Sequence, residues 1–97
     1  MKGVFIAFDQ AHKDDVISIL DRLNCRGFSF IEQLQGRGSK TGDPHYGTHA
    51  WASMNSGIIT MVDDKIVDQL LASLKELDEN AEMLGLRAFV WNIEKCC

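Results

Sequence analysis

Residues 35–47, QGRGSKTGDPHYG, decide the fold of this chain because they separate two halves with the same order of predicted elements. The stretch contains four of the eight glycines and the only proline. Connections longer than about 12–15 residues are uncommon in compact domains and usually carry function. We therefore expect residues 35–47 to form a functional loop.

The first half of the sequence predicts a strand, a helix and a second strand. The apolar run VFIAF over residues 4–8 is typical of a buried strand, and residues 11–24 carry apolar positions at helical spacing. Gly27 is predicted to be the left-handed residue that ends this helix. Residues 28–34, FSFIEQL, then predict a strand whose alternate residues share one buried face.

The second half repeats this order. Residues 51–62, WASMNSGIITMV, predict a strand with a bulge or bend at Ser56 and Gly57. An apolar stripe over residues 66–77 predicts a helix, and residues 86–93, LRAFVWNI, predict the last strand. We interpret the acidic run ELDENAE, residues 76–82, as a solvated helix face.

The element order is therefore βαββαβ. With right-handed crossovers, this order predicts an α+β, ferredoxin-like sandwich in which a four-stranded antiparallel sheet carries both helices on one face. We expect a single domain over residues 1–97. The other sheet face would be bare, and the Phe, Met and Trp residues of the strands predict that it is apolar. A bare apolar face predicts a homo-oligomer.

Composition excludes several classes of protein. The net charge of −4 and the lack of a basic stripe argue against binding to nucleic acid. No secretory hydrophobic region or membrane-spanning apolar run is visible, and the three cysteines show no framework spacing, so we expect a cytoplasmic protein without direct membrane insertion. No nucleophile accompanied by a base is apparent, so we do not expect an enzyme.

The glycine-rich stretch has the composition of an anion cradle. Glycines allow backbone N–H groups to converge on a phosphate or carboxylate, and basic side chains supply charge. The predicted ligand-binding residues here are Gly36, Arg37, Gly38, Ser39 and Lys40. The same composition also suits a flexible, solvated strand connection, and the residues alone do not choose between the two.

Histidines and cysteines suggest a metal site as an alternative. His45 and His49, four residues apart, would bind a divalent transition metal, with one or more of the cysteines as further ligands. Solvent-exposed loop histidines would look the same in sequence. One interpretation pairs His12 with Asp9 as an acid and a base, and the other, which we favour, makes His12 a solvated or capping residue. Trp51 and Trp91 are expected to pack in the core or at a subunit interface rather than to stack on a ligand base.

Five fragments of the chain have a characteristic order and spacing: DDV at residues 14–16, GFSFIE at 27–32, GRG at 36–38, IITMVDDKIVDQL at 58–70 and FV at 89–90. Together they resemble the PII-type nitrogen-regulatory signalling proteins over nearly the whole chain. Residues 14–16 resemble the family's helix-opening DDV, residues 27–32 its GMTVTE, and residues 36–38 the GFG that opens its T-loop. Residues 58–70, IITMVDDKIVDQL, resemble IEIVVPDDIVD, and residues 89–90 the FV of the last strand.

The resemblance implies a homotrimer that binds a small effector, such as an adenine nucleotide or another anion, in clefts between subunits. A T-loop, here residues 36–51, would report occupancy to a partner protein such as a transporter or enzyme. The family's phosphate-binding turn is replaced by residues 80–87, NAEMLGLR, where Arg87 stands near the family's lysine. Arg87 therefore joins the predicted ligand-binding residues.

The shorter loop, and Lys40 in place of the usual ligand-contacting glutamine, indicate a divergent PII-like member. The alternative function is that of a metal-responsive protein similar to the PII-like or divalent-cation-tolerance proteins, with His45 and His49 as ligands.

Overall fold

A computed structural model of the chain describes residues 1–37, 44–45, 55–81 and 85–97, with only the backbone described at positions 36, 37, 44 and 45. None of the helices in these ranges has the length and hydropathy needed to span a bilayer. The helices are α1 (Lys13–Arg22) and α2 (Val67–Asn80), and each follows a short 3-10 turn, Gln10–His12 or Asp64–Ile66. The strands are β1 (Lys2–Asp9), β2 (Phe28–Leu34), β3 (Gly36–Arg37), β4 (Pro44–His45), β5 (Asn55–Val62) and β6 (Arg87–Asn92).

The main sheet confirms the predicted ferredoxin-like arrangement. Its strand order is β2-β5-β1-β6, and each neighbouring pair is antiparallel. Strand β1 lies at the centre, so that Phe5, for example, pairs with Ile59 on one side and with Phe89 on the other.

The core lies between the helices and one face of this sheet. Alternate residues of β1 point to that face, and Val4, Ile6 and Phe8 are fully buried. Above them pack the buried apolar residues of both helices, namely Val16, Ile19, Leu20, Leu70 and Leu74. Full burial of one such side chain stabilises the fold by about 1.5–3 kcal/mol, so this layer supplies much of the driving force.

The opposite sheet face, which we call the bare face, is rich in apolar side chains, as the sequence predicts. The register places Gly3, Phe5 and their partners on β5 and β6 there. Met61, Phe89 and Trp91 are 49%, 58% and 43% exposed, respectively. Large apolar side chains that adjoin one another on a surface mark a site of interaction with another molecule.

Helix α1 ends in a Schellman motif centred on Asn24. The Cys25 N–H donates to the Leu20 carbonyl at 2.7 Å, and the Asn24 N–H donates to the Asp21 carbonyl at 3.1 Å. This pattern requires a left-handed residue after the helix. Asn24 takes that conformation, with φ of 64°, whereas Gly27 does not have a positive φ. The assignment of Gly27 as the left-handed residue was wrong, because the helix ends before residue 24.

A bulge lies in β2 instead of at the predicted position in β5. Ile31 pairs with Gly57 but Leu34 pairs with Asn55, so β2 contains one extra residue between these pairs. The Ser56 hydroxyl donates to the Glu32 carbonyl at 2.6 Å, which satisfies a backbone group that the bulge leaves out of the ladder.

The bulge also changes the face on which β2 ends. Phe28 and Phe30 face the core, whereas the Leu34 side chain lies on the bare face, where a Cβ added to Gly57 would come within 2.6 Å of its Cδ1. The expected single buried face of residues 28–34 is therefore interrupted at the bulge.

The Schellman motif predicts opposite effects of two substitutions at Asn24. Asn24→Ala should destabilise the protein by about 1 kcal/mol, since a left-handed backbone costs a Cβ-bearing residue about 1–2 kcal/mol and alanine lacks the local hydrogen bonds of asparagine. Asn24→Gly should be neutral or stabilising. Gly27→Ala is the matched control, because a Cβ there meets nothing within 4 Å. Urea unfolding curves measure all three, and a larger loss for Gly27→Ala than for Asn24→Ala would contradict the assignment.

The bulge predicts a specific role for the fully buried Ser56 hydroxyl. Ser56→Ala should reduce the free energy of unfolding by about 1–3 kcal/mol, because it leaves the Glu32 carbonyl without its donor. Ser18→Ala, at an exposed position of α1, should change it by less than about 0.5 kcal/mol. Equal effects of the two substitutions in chemical denaturation would show that the bulge does not depend on Ser56.

Candidate functional site

Strands β3 and β4 form a short antiparallel ladder, which we call the loop stem. Gly36 pairs with His45 and Arg37 pairs with Pro44. The stem therefore places the backbone of the first two predicted anion-binding residues beside that of a predicted metal ligand. The remaining residues of these sets, Gly38, Ser39, Lys40 and His49, lie outside the described residues, as does Trp51.

Arg87 lies at the same end of the sheet as the loop stem but at the opposite edge. It begins β6, where it pairs with Ala7, whereas the stem follows β2. Because β5 and β1 lie between these edge strands, Arg87 and the end of β2 are separated by about 14 Å. Within one chain, the structure does not bring Arg87 together with Gly36 and Arg37.

Arg87 adjoins a small cavity between α2 and β6. The cavity has a volume of about 190 Å³, and Lys75 and Asp78 also line it. The Arg87 side chain is exposed, and its Nη1 donates to the Leu86 carbonyl at 3.1 Å. Pockets for ligands of drug size usually measure about 300–1,000 Å³, so this cavity alone is too small for a nucleotide.

The turn before β6 is held by Asp78, whose carboxylate accepts a hydrogen bond from the Leu86 N–H at 3.0 Å. Gly85 has φ of +58°, which favours glycine at this position. The bond occupies the Leu86 amide and places a negative charge at the turn. This carboxylate was missed when the acidic run was interpreted as a solvated helix face, since helical spacing gives no sign of a bond to a residue beyond the helix.

Asp9 and His12 have structural partners. The Asp9 carboxylate accepts from the Ala11 N–H at 2.8 Å and caps the first 3-10 turn. The His12 Nδ1 lies 3.0 Å from Asp15 Oδ2. His12 stands at the N-cap position of α1, but its side chain makes no cap hydrogen bond there, and the cap bond of the preceding turn is that of Asp9. Asp9 and His12 thus have different partners.

The described residues provide no cluster of ligands for the predicted metal site. These contain no group of three His, Cys, Asp or Glu side chains arranged to hold a metal ion. Cys25 is buried, and burial raises the pKa of its thiol, which keeps it protonated. Cys96 and Cys97 are exposed and free.

Comparison with known proteins identifies the family. The sequence model described as nitrogen regulatory protein P-II matches residues 1–97. No curated protein sequence matches the chain.

Solved structures share the fold. CPII from Thiomonas intermedia K12, a nitrogen regulatory PII-like protein solved with ADP, AMP and bicarbonate, is 25% identical with a TM-score of 0.77, over 95% of this chain and 84% of that one. The same protein bound to ADP and bicarbonate gives 26% identity and a TM-score of 0.76, over 95% and 84% of the two chains. A PII-like protein from Thermus thermophilus shares the fold at 21% identity, with a TM-score of 0.67 over 95% and 85% of the two chains.

The family match extends over the whole chain, and the solved relatives repeat its sheet and helices. The chain therefore belongs to the nitrogen regulatory protein P-II family.

Proposed function

We propose that this protein is a trimeric, cytoplasmic PII-like regulator that binds a small anionic effector between subunits and signals through residues 36–51. The observation that carries the proposal is the position of the loop stem and Arg87 at the same end of the sheet but on opposite edges. Two halves of one binding site can occupy opposite edges if neighbouring subunits bring them together.

The bare face supports the trimer. Phe89 and Trp91 of edge strand β6 adjoin Phe5 of β1 and Met61 of β5, and much of their apolar surface is exposed in the single chain. Removal of apolar surface from water stabilises an assembly by about 25 cal/mol per Å². Packing of three copies through this face would bury that surface and bring edge strands of different subunits close to one another.

The charges near the predicted cleft support an anionic effector. Arg87 and Lys75 line the cavity beside β6, and the glycine-rich stretch that begins in β3 supplies backbone N–H groups and further basic residues. The similar protein CPII binds ADP, AMP and bicarbonate. We propose an adenine nucleotide as the effector, with bicarbonate as a second anion to test.

Signalling requires that the effector binds two states of the loop with different affinity. Because the loop stem continues directly from β2, an effector that contacts Gly36 and Arg37 would favour one arrangement of residues 36–51. A partner protein, such as a transporter or enzyme, would recognise that arrangement. This mechanism is regulatory and assigns no catalytic residue.

The proposed assembly predicts that Phe89→Glu converts the trimer to monomers. A carboxylate at the centre of an apolar interface loses its hydration without gaining a partner, which costs several kcal/mol. Phe89→Leu keeps an apolar side chain and should remain trimeric. Size-exclusion chromatography with light scattering measures the mass of each, and a trimeric Phe89→Glu variant would place the interface elsewhere.

The proposed effector predicts measurable binding of ATP, ADP or AMP by calorimetry. Arg87→Ala should weaken the affinity about tenfold or more, since a hydrogen bond to a charged group contributes about 1.5–3 kcal/mol. Arg26→Ala removes an exposed arginine before β2, at the other end of the sheet, and should leave the affinity unchanged.

Two results would count against this function. If none of the three nucleotides, with or without bicarbonate, gives heat or a shift in melting temperature, the nucleotide proposal is wrong. If both arginine variants weaken binding equally, Arg87 contributes only general positive charge.

A further inference from the structure

The bond between Asp78 and the Leu86 N–H places a carboxylate in the wall of the cavity that Arg87 adjoins. Asp78 lies near the end of α2, and the charged residues of the cavity wall are Lys75, Asp78 and Arg87. An anion that binds beside Arg87 therefore lies close to a group of its own charge.

Leu86 fixes the position of this carboxylate. The Leu86 side chain is 7% exposed and belongs to the core, its N–H donates to Asp78 Oδ1 at 3.0 Å, and its carbonyl accepts from Arg87 Nη1 at 3.1 Å. One buried residue thus connects the acidic and the basic group of the cavity wall. Because a backbone amide has a single N–H, a phosphate group can use that of Leu86 only by displacing Asp78.

The charges of the cavity wall favour an anion of low charge. Lys75 and Arg87 carry two positive charges and Asp78 carries one negative charge, so these three residues leave a net charge of +1. Residues 77–80, LDEN, form the last turn of α2 and are not basic, so they do not offset the partial negative charge of the carbonyl groups at this helix end.

The repulsion acts over a short distance. A spherical cavity of about 190 Å³ is about 7 Å across, which is less than the Debye length of about 8 Å at physiological ionic strength. Salt therefore screens the Asp78 charge only in part. A single phosphate group carries about 1.5–2 negative charges near neutral pH, and this already matches the two basic residues. Further phosphate groups add repulsion by Asp78 without gaining a further cation from the cavity wall.

Building on the effector site proposed above, we propose that Asp78 makes this site select an adenine nucleotide with one phosphate group over one with a phosphate chain. AMP then binds more tightly than ADP, and ADP more tightly than ATP. The hydrogen bond of Asp78 holds the turn before β6, and its charge determines which nucleotide is preferred.

Calorimetry on the full-length protein with AMP, ADP and ATP in EDTA tests this order without a divalent cation. The unsubstituted protein should bind AMP at least about tenfold more tightly than ATP. Asp78→Asn removes the charge but keeps a side-chain oxygen that accepts from the Leu86 N–H. This substitution should raise the affinity for ATP about three- to tenfold more than that for AMP.

Glu76→Gln is the matched control, since it removes the same charge from the same helix. Glu76 lies two residues from Asp78, about 200° away around the helix axis, and it lines a groove beside Arg22 of α1. The ratio of the affinities for AMP and ATP should stay within about twofold of that of the unsubstituted protein.

The ratio of the two affinities separates selection by charge from a structural role. If Asp78→Asn changes both affinities by the same factor, the role is structural and the proposal is overturned. ATP that binds the unsubstituted protein as tightly as AMP overturns it without any variant. Tighter binding of ATP with Mg²⁺ that Asp78→Asn abolishes also overturns it, because Asp78 would then hold a cation. In these three cases a nucleotide still binds and the function proposed above stands, whereas absence of binding by all three nucleotides removes both.

Discussion

The rest of the structure depends on the pairing of β1 with a neighbour on each side. All eight residues of β1 pair with β5, and six of them also pair with β6. This central position forces the side chains of β1 to alternate between two different environments. Val4, Ile6 and Phe8 form the floor of the core, while Phe5 lies on the bare face. One strand thus specifies both the interior of the subunit and the surface through which we propose that subunits associate.

The order of the elements could be predicted because apolar periodicity directly reflects burial. The run VFIAF and the stripe over residues 66–77 correspond to β1 and α2, which contribute Val4, Ile6, Phe8, Leu70 and Leu74 to the core. Details that depend on hydrogen bonds were harder to predict. Glycine is the commonest left-handed residue after a helix, but the position of the left-handed residue is set by where the helical hydrogen bonds end. Here they end so that Asn24 takes that conformation.

The residue types of the candidate site could be predicted from the sequence, but the positions of these residues relative to one another could not. The basic and glycine-rich positions can be found by composition and by resemblance to the family, but the separation of Arg87 from the loop stem follows from strand order. The role of Asp78 depends on the path of the chain after α2, which its helical position does not encode.

The extra residue in β2 means that the length of this strand and the orientation of the loop are separate properties of the sequence. A strand of regular pleat would turn Leu34 toward the helices, and the bulge turns it toward the other side. Deletion of one residue between Ile31 and Leu34 would leave two steps along β2 opposite the two steps from Gly57 to Asn55 on β5, so Leu34 would still pair with Asn55 and face the same side. In divergence of such proteins, a bulge at this place allows the strand before the loop to change by one residue without changing the side of the sheet from which the stem departs.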